Sequence, residues 1–133
     1  MLEKTELDVR IAEDQALEAA DEFAAVLAGT PEFQAFEQAQ LALRQDEAAQ
    51  GAIRAFQAKQ QALGWELRFG LVADPDRAEL QRLQQAMLGQ PAVQAYAEAQ
   101  ERLAALSGEL TGLISRTVGL DFAAGCGPGC ACG

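Results

Sequence analysis

Histidine is absent from all 133 residues. Its absence removes Ser-His-Asp and Cys-His catalysis, His-ligated zinc and haem, and histidine pH sensing from the chain's own repertoire. Aromatic residues are scarce, at 6%, with one Trp and one Tyr. In their place Ala (28), Leu (17) and Gln (15) dominate, a composition that favours helix and disfavours β-sandwiches and barrels. Basic residues are outnumbered 10 to 20, for a net charge of −10 and a pI near 4.3. Such a chain repels phosphate backbones and anionic membrane surfaces, so neither nucleic acid nor membrane is an expected partner. No apolar run approaches the roughly 20 residues needed to cross a bilayer. Met1-Leu2-Glu3-Lys4-Thr5-Glu6 lacks the basic and apolar regions of a signal peptide. The expectation is a cytoplasmic protein with reduced thiols.

What is present is helical periodicity. Over residues 5–28, Leu7, Ile11, Leu17, Ala20, Ala24 and Leu27 recur near helical spacing, with Phe23 and Val26 beside the stripe. Gly29 stops this helix. Thr30-Pro31-Glu32 restarts the chain, supplying a cap, a first-turn proline and an acid at the positive helix end. The second helix turns Phe33, Phe36, Ala39 and Leu43 toward a core. Asp46 opens a third, over 46–73, whose Ile53, Phe56, Gln60, Leu63, Leu67 and Leu71 form a coiled-coil-like seam. Any bend belongs at Gly64 or Gly70. Asp74-Pro75-Asp76 reads as another cap-plus-proline start, and Gly89-Gln90-Pro91 opens the last helix, seamed by Val93, Tyr96, Gln100, Leu103, Leu110, Leu113, Thr117 and Leu120. The expected fold is all-α, with about five helices, two of them long, antiparallel and coiled-coil-like. A helical domain over 1–122 precedes a flexible cysteine-rich tail over 123–133.

A faint repeat runs at an offset of 60, pairing Gly29, Pro31, Ala35 and Ala39 with Gly89, Pro91, Ala95 and Ala99. Two units are too few for a solenoid.

The tail holds the chemistry. Cys126, Cys130 and Cys132 are the only cysteines, and residues 125–133 also hold four of the twelve glycines. Glycine lets the backbone reverse, so that several sulfurs can converge, and thiolates select zinc, copper(I) or iron–sulfur clusters. Three thiols fall one short of the usual four ligands; a partner subunit, a carboxylate, a small thiol or an open position would complete the set. The alternatives are a reduced tail with no metal, an incidental disulfide, and the product segment of a modified peptide.

Other features read as ordinary helix. Trp65 sits beside the third-helix seam as packing, with Glu66 and Arg68 as a solvated face. Glu13, Asp14, Glu18, Asp21 and Glu22 form an acidic helix surface, since a di-iron bundle would need histidines. No nucleotide-binding glycine motif occurs. With seams to cover and few helices to cover them, a dimer or larger species is expected.

Several segments together resemble the YlbF/YmcA family of small helical bacterial proteins. They are the acidic first helix followed by Thr30-Pro31-Glu32-Phe33-Gln34-Ala35-Phe36; Asp46-Glu47-Ala48-Ala49-Gln50; Ile53-Arg54-Ala55-Phe56-Gln57-Ala58-Lys59-Gln60; Pro91-Ala92-Val93-Gln94-Ala95-Tyr96; and the Gly/Cys tail. The resemblance implies a non-enzymatic regulator that assembles into homo- or hetero-oligomers with sister helical proteins. Members are linked to competence, sporulation and biofilm control, and to messenger-RNA processing by RNase Y. By the same likeness, Cys126, Cys130 and Cys132 would ligate an iron–sulfur cluster shared with a partner, with zinc as the alternative. A plain helical scaffold with an inert tail is the competing function.

Overall fold

The computed structural model describes residues 2–120, with side chains from residue 3. They form six helices and, among the described residues, no strand: α1 (Leu2–Ala28), α2 (Pro31–Gln45), α3 (Glu47–Ala62), α4 (Gly64–Phe69), α5 (Asp74–Leu88) and α6 (Pro91–Val118). The all-α class holds.

The breaks between helices have local causes. Thr30 caps α2 with extended backbone, its Oγ1 accepting the Phe33 N–H at 3.3 Å and donating to the Leu27 carbonyl at 2.7 Å. Asp46 serves two helices. Its N–H donates to the Ala42 carbonyl and closes α2, while its carboxylate accepts the Ala49 N–H at 2.9 Å and opens α3. Both restarts lie where the sequence places them. The third does not: α5 is capped by Ala73 with no side-chain bond, so Asp74 falls inside the first turn and pairs loosely with Arg77 at 3.7 Å.

The predicted rod over 46–73 divides. At Leu63 the backbone leaves helical geometry (φ −101°, ψ 16°), separating α3 from α4. Gly70 then ends α4 in the left-handed region at φ 66°. The Leu71 N–H reaches back to the Glu66 carbonyl at 2.8 Å, a closure that favours glycine because only glycine enters that region without cost. Six helices therefore stand where about five were expected. The long ones are α1 and α6, with no mutual approach among the described residues.

Packing is pairwise. α2 lies on α6 and α3 on α5, with α2·α3 and α5·α6 meeting at their connections. The α3·α5 pair is antiparallel, since Lys59 in the last turn of α3 bonds Asp76 in the first turn of α5 at 2.7 Å. The α2·α6 pair is built on alanine: Ala35, Ala39 and Ala42 line one groove with Ala95 and Ala99, and Phe36 meets Tyr96 with ring centroids 5.5 Å apart. Small side chains let the two backbones approach closely. The faint repeat thus has a structural counterpart, because its two copies face each other in this pair. Among the described residues the buried positions are few: Ala49, Leu63 and Ala99.

Candidate interaction surfaces

The three thiols Cys126, Cys130 and Cys132, and the expected boundary at 122/123, lie outside the described residues. Among those described, no group of three or more Cys, Asp or Glu side chains gathers as a metal site. One depression is lined by Glu3, Thr5, Glu6, Val9, Arg10 and Glu13, all on α1, and is a furrow between side chains of one helix. What the described residues offer instead is apolar surface.

One surface is the tip of the α3·α5 hairpin. Trp65 is 71% exposed and meets Phe69 in a tilted ring contact with centroids 4.4 Å apart, beside exposed Leu67 and Leu71. This corrects the reading of Trp65 as packing, and that of Leu67 and Leu71 as a buried seam. The cause is the break at Leu63. Once α4 leaves the line of α3, Leu63 is the last seam residue to reach the interior, and those beyond it turn to solvent. The Gly64 and Gly70 positions were the available signal.

The second surface is the distal half of α6. Its first half is covered by α2, and the first turn of α2 reaches the middle of α6, where Glu32 shares a groove with Arg102, Ala105, Leu106 and Glu109. Past that point Leu113, Ile114 and Val118 are exposed. The helix ends at Gly119 in the left-handed region (φ 71°), whose N–H donates to the Ser115 carbonyl.

The third surface is α1. Among the described residues it approaches only α2, where the two join. Leu7, Val9, Ile11, Leu17, Phe23 and Val26 are all exposed, and of the predicted stripe only Leu27 is half-buried. Glu13, Asp14, Glu18, Asp21 and Glu22 are exposed, as an acidic helix face requires. The helix carries eight carboxylates against Lys4 and Arg10, a net −6.

One surface pair on α5 is shifted in its titration. Arg82 donates to both oxygens of Glu79 at 2.9 and 2.7 Å. These hydrogen bonds, reinforced by the guanidinium charge, hold the Glu79 carboxyl below its ordinary range and raise Arg82. A geometry of this kind braces a helix face.

No helix among the described residues is long and apolar enough to cross a membrane. No curated protein and no solved structure matches the chain. Residues 16–119, well over half the chain, match the family described as control of competence regulator ComK, YlbF/YmcA. That span opens inside α1 and closes at the glycine that ends α6, so it takes in the hairpin tip and the whole of α6. A helical architecture and a match of this extent converge: the chain belongs to the YlbF/YmcA family.

Proposed function

We propose that this protein is a non-enzymatic, cytoplasmic regulatory adaptor that acts through complexes with other helical proteins. Its tail thiols Cys126, Cys130 and Cys132 contribute ligands to an iron–sulfur or other metal centre. The observation that carries the adaptor reading is apolar exposure: α1, distal α6 and the Trp65–Phe69 tip all present large side chains to solvent. Exposed apolar surface beyond isolated residues marks interaction sites. The family's regulatory role supports the same reading.

The metal centre rests on donor chemistry. Three thiolates in seven residues suit soft metal ions and clusters, and one further donor, from a partner or a small thiol, completes a four-ligand set. Such a centre would supply redox or oxygen sensitivity. The chain's part is to supply the three sulfurs. Anaerobic reconstitution with iron and sulfide, read by visible absorption and elemental analysis, tests it. Stoichiometric iron and sulfide that vanish when the three cysteines become serine is the expected result. No chromophore and no iron, even with co-purified partners present, would sink the cluster. Zinc without iron in native protein would move the centre to a structural zinc site.

One observation favours a second reading, a helical scaffold with an inert tail: the family match stops at residue 119, before any cysteine. Deleting residues 125–133 separates the two. Unchanged complexes and unchanged cellular activity after deletion would favour the scaffold.

A further inference from the structure

We infer that α1 is a docking helix for a different protein, one that offers an apolar helix face flanked by lysine or arginine. The inference rests on the adaptor reading and supplies the partner chemistry of one of its surfaces.

Two apolar lines run along α1, and only one is continuous. Leu7 and Ile11 lead into Asp14 and Glu18 over the next turns, which ends that line. Val9, Ala12, Ala16, Ala19, Phe23 and Val26 step by 3, 4, 3, 4 and 3 with no charge among them, and every one is exposed. An alternating 3–4 spacing is the seam that pairs with another helix in a supercoil. Alanines at its centre let a partner backbone come close. No other helix of this chain, among the described residues, lies against it.

The flanks of the seam decide the occupant. Asp8, Gln15 and Glu22 border one side, and Glu13 and Ala20 the other, so every charged flanking residue named here is acidic. Lys4 and Arg10 sit at outer positions of the same heptad frame. Charges flanking a seam select partner and orientation. A parallel pair of α1 helices would set Asp8 of one copy against Glu13 of the other. An antiparallel pair would bring the Asp8–Glu22 flanks together. Both repel, and the net −6 of each helix adds to the penalty. The distal seam of α6 in a second copy fits less well than a uniformly basic rim, because Glu109 stands between Arg102 and Arg116 along its edge.

The full-length protein, titrated with three dye-labelled synthetic helices, provides the test. The first peptide has leucine at its seam positions and lysine at the flanks. The second keeps the seam and carries glutamate at the flanks. The third has the first peptide's composition with its seam scrambled. Fluorescence anisotropy should show the first binding about tenfold or more tighter than the others, and weakening as salt is raised. Phe23→Glu, at an exposed position, should abolish that binding with the far-ultraviolet circular dichroism unchanged. The triple variant Asp8→Lys, Glu13→Lys, Glu22→Lys should reverse the preference toward the glutamate peptide. Equal binding of the first and third peptides, binding of the glutamate peptide by the native protein, or indifference to Phe23→Glu would overturn the inference. So would sedimentation showing a self-associated species that Phe23→Glu dissolves, since the occupant would then be a second copy. Peptide discrimination in a protein that forms no complex in cells would support the α1 chemistry and overturn the adaptor reading alone. Native complexes unaffected by Phe23→Glu, without peptide discrimination, would overturn the α1 chemistry alone.

Discussion

α1 and α6 are nearly equal in length, at 27 and 28 residues, and both carry seams of alternating 3–4 spacing. One is packed along its first half and the other touches the body only at its end. The difference lies beside the seam. Where α6 is covered by α2, its central Ala99 is buried, and the two charges that line that groove, Glu98 and Arg102, are of opposite sign. Where α1 would be covered, its borders are carboxylates. Hydrophobic spacing sets which face of a helix can be buried, and the charge along that face's edges sets by whom.

The largest expected effect comes from truncating the same residue type in the two regions. Leu63→Ala, inside the body, should cost about 2–5 kcal/mol in urea unfolding, because its side chain is buried and leaves a cavity. Leu17→Ala on α1 should stay within about 0.5 kcal/mol, as an exposed site predicts. Equal losses would mean that α1 is packed in solution and would break the comparison. Next in size, Ala49→Leu should cost about 1–3 kcal/mol by overpacking a position with 0% exposure. Asp46→Ala should cost about 1 kcal/mol through loss of the bond to the Ala49 N–H, measured by the same unfolding curve.

The smallest effect is electrostatic. Arg82→Gln should let Glu79 titrate at its ordinary value, a rise readable by carboxyl NMR. In the native protein this carboxyl is depressed on folding. Its contribution is therefore present above the unfolded-state value and fades as pH falls through the lowered folded one. The pair sits at the surface, and its removal should leave thermal unfolding nearly unchanged.

Much of this architecture is legible before any coordinates. Thr30-Pro31-Glu32 and Asp46 are capping chemistry, decided within four residues, and both start helices as read. The division of the 46–73 rod is harder, because the seam from Ile53 to Leu71 keeps helical spacing straight through the break. Only backbone geometry at Leu63 and Gly70 reveals that the chain has turned. That turn exposes Trp65, whose surroundings a single sequence does not define. Asp74 misled for a related reason: a residue before proline is a natural cap, yet the cap lies one position earlier, at Ala73, and the helix begins at Asp74 itself. The acidic run on α1 was legible as surface, but the seam that its Glu13 and Glu22 border emerges only when no neighbour among the described residues is found to cover it.

Asp46 is the sole residue between α2 and α3, so the two helix pairs of the body meet through a joint without slack. A single alanine inserted after it would turn α3 by about 100°. Ala49 would swing out of the interior, and the α3·α5 arm would point elsewhere while each helix stayed intact. The direction in which the aromatic tip is aimed, and hence whatever it can reach, is set by a pivot far from both the tip and the amino-terminal rod.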